Sequence, residues 1–247
     1  NLMSLPQMIS GKPGWEKQTS TSQKHKLGTK MIIQDRVFRY VEAGEAITAG
    51  LLTMGKAGTA GHQVDRGVSA GSVGDTTITL TDSLTITEDQ YKDGYIIFND
   101  VEEEGHMYKI KSNTAVSSAT GCVITLDEED GLVTAITTSQ QVGLYENPYK
   151  DIEIHDGNDI DSAPLGWTQV DVPSGSYGWI CVNGWTAALI DGTPAAGSPL
   201  VTSNNASLDG SVEVYDEDGT ANLAPVAVNG PIAGVAGEYA FIKANIE

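Results

Sequence analysis

The sequence predicts an all-β fold: a small β-barrel interrupted by an inserted β-subdomain and led by an extended N-terminal arm. Three observations predict it. Gly is abundant at 28 of 247 residues, aromatic residues are few, and Val, Ile and Thr recur in short runs broken by Gly, Asp, Asn and Pro, the composition of strands joined by many turns. No window of about 11 residues sustains the i, i+3, i+4, i+7 apolar spacing of a helix, and residues 86–91 could form one turn at most. Finally, one strand-and-corner device is written twice. Residues 37–53 read VFRYVEAGEAITAGLLT and residues 179–202 read WICVNGWTAALIDGTPAAGSPLVT. In each, alternating bulky residues lead to an Ala-Gly pair, Ala49-Gly50 and Ala196-Gly197, where Gly tightens a corner into the next strand.

Taken in order, residues 1–30 are polar and basic with scattered apolar groups, so they are expected to form an extended arm that orders on a partner. Residues 31–72 hold the first part of the barrel and a Gly-rich linker. Within them, 31–33 and 37–41 read as strands joined at Gln34-Asp35, and 56–74 as a long mobile loop. Residues 73–150 form the inserted β-subdomain of five or six strands. TTITLTDSLTIT alternates with Ile78, Leu80, Leu84 and Ile86 on the buried side of a strand pair. GYIIFNDV and HMYKIKSN flank the turn at 102–105 as a hairpin, and CVITLDEEDGLVTAIT repeats that device around 127–131. Residues 151–164 are an acidic linker. Residues 165–247 are the second part of the barrel, with turns at 173–175 and at Asn183-Gly184, and strands that pair with those of 37–53.

Charge is divided unevenly along the chain. Residues 1–40 carry seven basic and two acidic groups, a net +5; the remainder carries 7 − 31 = −24, and the two sum to −19. The body is expected to repel nucleic acid and anionic membrane, while the arm is drawn to an acidic surface. Trp15 in this polar arm is a candidate anchor. No run of about 18 apolar residues suggests a membrane helix. The opening residues lack the charged leader and apolar core of a signal peptide, so the expectation is a protein made and used without Sec export.

The chain gives little support to catalysis. Cys122 and Cys181 sit in apolar runs and read as reduced core residues. His25, His62, His106 and His155 are scattered, with no His-x-x-x-His or Cys-x-x-Cys spacing for zinc. There is no Gly-x-Ser-x-Gly elbow and no phosphate-binding loop. Acidic groups crowd turn tips, where water screens them, instead of a cleft that would raise one pKa. Asp156, Asn158, Asp159 and Asp161 offer oxygens at spacings calcium can use, but without a bidentate Glu the stretch reads as a solvated linker. The expectation is no enzyme, no cofactor and no metal site.

The run LGWTQVDVPSGSYGWICVNGWTAALIDGTPAAGSPLV, followed by GPIAGVAGEYAFIKANI, resembles the C-terminal part of tailed-bacteriophage capsid decoration (cement) proteins, and RVFRYVEAGEAITAGLLTMG resembles their first strands. The likeness covers about 100 residues and consists of structural Gly, Ala and Trp positions; residues 75–149 depart from the compact members as an insertion. The resemblance implies a barrel of the β-clip or β-tulip kind that binds the outside of an assembled head after synthesis in the host cytoplasm. Its partner would be the major capsid protein; an open-edged barrel with a bare corner motif invites a homo-oligomer, with a trimer favoured, and the acidic body argues against nucleic acid or membrane as a partner. Charge alone adds the role of the arm: Lys12, Trp15, Lys17, Lys24, Lys26 and Lys30 are the expected capsid-binding residues, and deleting 1–30 is expected to leave a folded barrel. A competing expectation is a head fibre, tail or adhesin component whose insertion binds a host-surface glycan.

Overall fold

The computed structural model describes residues 8–101, 104–156, 162–215 and 224–247. In chain order the strands are β1 (Met8–Ser10), β2 (Lys30–Ile33), β3 (Arg36–Glu42), β4 (Leu52–Met54), β5 (Arg66–Gly67), β6 (Thr77–Thr79), β7 (Leu84–Ile86), β8 (Tyr95–Asp100), β9 (Met107–Asn113) and β10 (Val116–Ala119). They continue as β11 (Val123–Leu126), β12 (Gln141–Tyr145), β13 (Glu153–Ile154), β14 (Pro164–Thr168), β15 (Tyr177–Leu189), β16 (Pro199–Thr202), β17 (Val212–Val214), β18 (Ala227–Asn229) and β19 (Tyr239–Asn245). A single turn of 3₁₀ helix spans Trp15–Lys17, and no α-helix occurs among the described residues. The protein is all-β. It forms two compact units, one of Asn1–Ala57 with Pro148–Glu247 and the other of Gly58–Asn147.

The first unit is built on a large mixed sheet in the order β1-β2-β3-β15-β19-β18-β16-β17, with β14 joining β15 to β4 and β13 extending from β4. The pair β1–β2 is parallel, while the other strand pairs are antiparallel. Strands from 37–53 do pair with the final third, because β3 lies along β15 and β4 along β14. Both Ala-Gly corners have their Gly in the left-handed region, Gly50 at φ 77° and Gly197 at φ 76°, each just before a strand.

One strand differs from its sequence reading. Asn183-Gly184 makes no turn, and β15 runs unbroken for 13 residues. Its N-terminal half pairs with β3, its C-terminal half with β19, and a bulge at 181–183 marks the change. Gly184, at φ 97°, passes so close to the neighbouring corner that a Cβ there would lie 2.6 Å from the Asp35 carbonyl oxygen. The dipeptide therefore serves a bulge and a close backbone approach.

Three apolar clusters fill this unit. Phe38, Tyr40, Trp179 and Cys181 pack with Met31, Ile33 and Leu27 on one face of β3 and β15. Val41, Ile180 and Val182 pack with Ile47, Ile152 and Val172 on the opposite face. Trp167, Ile190, Leu200, Val212 and Ile242 form the third.

The second unit is a curled, six-stranded antiparallel half-barrel in the order β5-β12-β8-β9-β11-β6, with a separate β10–β7 pair. Its core holds Ile78, Leu80, Leu84, Ile86, Ile96, Phe98, Ile110 and Ile124. The alternation in 76–87 marks the buried side chains correctly, but β6 pairs with β11 and β7 with β10, so the two are not partners. The β8–β9 hairpin forms as expected. The second proposed hairpin does not: after β11 the chain crosses to other partners, with the Leu132 amide donating to Asp75 and Ile136 bridging to Gly71. The Gly-rich stretch is also tied down. His62 and Val68 are buried, β5 adds to β12, and the Leu144 amide donates to the His62 carbonyl. A chain poor in large side chains is held here by backbone pairing.

Candidate docking surfaces

From Met8 onward, the segment expected as an arm is laid along the first unit. β1 adds to β2, the Gly11 amide continues the ladder to the Ile32 carbonyl, and a Cβ at Gly11 would meet the Met31 sulfur at 2.6 Å. The turn before the 3₁₀ helix closes with the Trp15 amide donating to Lys12. Glu16, 4% exposed, is gripped from both sides: the Gly14 amide donates to Oε2 at 2.7 Å and Arg36 Nη2 to Oε1 at 3.0 Å. Burial alone would raise this carboxyl, but the backbone amides and Arg36 outweigh it and hold its pKa below the ordinary value. Farther on, Ser20 bridges to Tyr177, His25 packs against Tyr40 and Trp179, and Leu27 is buried. The segment thus covers the Phe38, Tyr40 and Trp179 face, and deleting 1–30 would uncover that cluster instead of leaving a finished barrel.

Of the predicted capsid-binding residues, Lys12, Trp15 and Lys17 come together on the turn and 3₁₀ helix, all exposed. Lys24 is exposed on the following loop, where its amide donates to Tyr40 Oη. Lys26, half-buried, accepts from the Thr29 hydroxyl through its carbonyl. Lys30 lies apart on β2, in register with Met8 on one side and Arg39 on the other. The two arginines of this region are engaged locally, Arg36 with Glu16 and Arg39 with Glu247 at 2.6 Å. Lys12, Lys17 and Lys24 form no ion pair with the described residues, so their charge faces outward.

A second surface was not singled out in the sequence. On β15, β19 and β18, Thr186, Ala188, Ile242, Ala244 and Ala227 point into the core, and their alternates point out. The outward set is Trp185, Ala187, Tyr239, Phe241, Lys243 and Val228. Trp185 and Phe241 stack with ring centroids 4.5 Å apart and planes 8° from parallel. Ile232 and Val235, 78% and 59% exposed, extend the face from the 231–238 loop, where a hollow of about 250 Å³ also takes in Glu238, Tyr239 and Phe241. The signal existed in YAFIKAN, where Tyr239 and Phe241, two large rings, alternate with the apolar Ala240, Ile242 and Ala244 and so fall on the opposite face.

Both cysteines are free and buried, and burial pushes the Cys181 thiol up to about 12, which leaves it protonated and a poor nucleophile. His155 is buried beside a hollow lined by Pro164, Thr202, Pro225 and Ile246, and burial holds its pKa below the ordinary imidazole value. Among the described residues, no group of three or more His, Cys, Asp or Glu side chains could hold a metal ion, and no helix is long and apolar enough to cross a membrane. Asn158, Asp159 and Asp161 of the calcium candidate lie outside the described residues. In comparison with known proteins, no family model, curated protein or solved structure matches the chain.

Proposed function

We propose that this chain is a non-enzymatic virion structural protein of a tailed bacteriophage, a capsid decoration protein that binds the outer surface of the head and stabilises the shell. The first unit is then the small β-clip-like or β-tulip-like barrel, and the second is its inserted subdomain. The observation that carries the reading is the placement of charge: exposed Lys12, Trp15, Lys17 and Lys24 are fixed on one stretch of a protein whose net charge is −19. The aromatic ring and lysines suit an acidic, partly apolar protein surface, while the acidic remainder repels nucleic acid and membrane. A protein that binds only the assembled lattice stabilises it by mass action, and many identical sites need not be individually tight. The major capsid protein is the partner, and no cofactor enters.

Co-sedimentation with heads of the cognate phage tests this reading. The full chain should pellet with heads, less so as salt rises, and a variant carrying Lys12→Glu, Lys17→Glu and Lys24→Glu should stay in the supernatant while melting as the parent does. Heads that bind both proteins equally would remove the role of the basic segment; absence of the chain from purified particles would remove the virion reading.

A further inference from the structure

We propose that the outer face of β15, β19 and β18 is a self-association surface that takes a second copy of this chain across a two-fold axis passing near Phe241. The inference stands independently of the decoration reading. It starts from apolar area: Trp185, Val228, Ile232, Val235, Tyr239 and Phe241 are all exposed on one side of one sheet and its adjoining loop. Large contiguous apolar patches on a soluble chain mark contact sites. The Trp185–Phe241 stack holds two of these rings fixed in advance, which lowers the ordering cost of a contact.

Charge selects the occupant. A second copy of a −19 chain is repelled overall, so association requires a locally neutral patch that matches itself. β19 supplies one. Lys243 stands on the face toward one end of the strand, Glu238 lines the hollow just before its other end, and Phe241 lies between them. Both are exposed, and neither forms an ion pair with the described residues. Rotation by 180° about Phe241 reverses the strand direction, setting each Lys243 against the Glu238 of the other copy and stacking aromatic on aromatic. This is the reciprocal pattern of an isologous interface. A two-fold contact, unlike the three-fold ring expected from an open barrel edge, follows from these opposite charges flanking one ring on one strand.

Sedimentation velocity on the full chain, from about 1 to 200 µM, tests the proposal. A concentration-dependent dimer is expected. Phe241→Asp should weaken it about 30-fold or more, the loss typical of an aromatic anchor. Glu238→Lys and Lys243→Glu should each weaken it about tenfold, and the double variant should recover the parent's affinity. Net charge makes the swap decisive: Glu238→Lys brings the chain to −19 + 2 = −17 and reduces general repulsion, yet the pairing requires weaker association. Because these side chains are exposed, each variant should melt as the parent does, and if Phe241→Asp does not, the charge swap decides alone. A monomer at every concentration, an assembly other than a dimer, a dimer tightened by Glu238→Lys, or a double variant that fails to recover would overturn the proposal.

Discussion

Arg36 on β3 holds the buried carboxylate of Glu16 at 3.0 Å, and this pair pins the basic N-terminal segment to the sheet beneath it. Glu16→Ala should lower the stability of the first unit by about 1–3 kcal/mol, since it strips the partner from a guanidinium and from the Gly14 amide. The pH dependence has a definite sign. The folded state holds Glu16 below its ordinary value of 4.5, so its contribution is complete above that pH and declines as pH falls through the folded pKa. Tryptophan fluorescence melts at pH 7 and pH 3 should show the variant converging on the parent at the lower pH.

In the second unit, His62 Nδ1 and the Tyr91 hydroxyl share a buried hydrogen bond of 2.5 Å. Tyr91→Phe should cost about 1–3 kcal/mol by leaving the imidazole nitrogen without its partner. Burial first, and then Arg66, hold His62 below its ordinary 6.5. Its contribution is therefore full above pH 6.5 and lost as pH falls toward the folded value. All four tryptophans, Trp15, Trp167, Trp179 and Trp185, belong to the first unit. Far-UV circular dichroism should therefore report this acid-sensitive step, with tryptophan fluorescence largely blind to it.

Gly184→Ala should destabilise the chain by about 2 kcal/mol or more, combining a left-handed backbone with a clash against the Asp35 carbonyl. Gly192→Ala, also at positive φ but facing open space, should cost distinctly less. A urea titration of the two variants checks the ranking.

Cys122 and Cys181 should be silent toward a thiol reagent such as DTNB in the folded protein at pH 8 and should both react in denaturant. Burial raises both thiols, Cys181 to about 12. Rapid labelling of Cys181 under native conditions would show that β15 opens.

Much of the fold was legible because strand formation leaves a period-two signature. Ile78, Leu80, Leu84 and Ile86 are buried as their alternation requires, and Gly50 and Gly197 make the corners their Ala-Gly pairs announce. Pairing was less legible, since β6 and β7 look like a hairpin locally and part company for lack of a ladder between them. Of the candidate surfaces, the basic residues were readable from charge counts alone. The stacked Trp185–Phe241 face was not, because those residues lie far apart in sequence and meet only through the β15–β19 register.

The sequence by itself determined the all-β class, the corners, the reduced cysteines and the division of charge, because each is set by a residue and its near neighbours. Tertiary structure alone decided that Asn183-Gly184 would be a bulge, that the basic segment would lie on the first unit, and which apolar side chains would remain in water. Those outcomes depend on which strands share a ladder, and hydrogen bonds between distant strands are not encoded in any local run of residues.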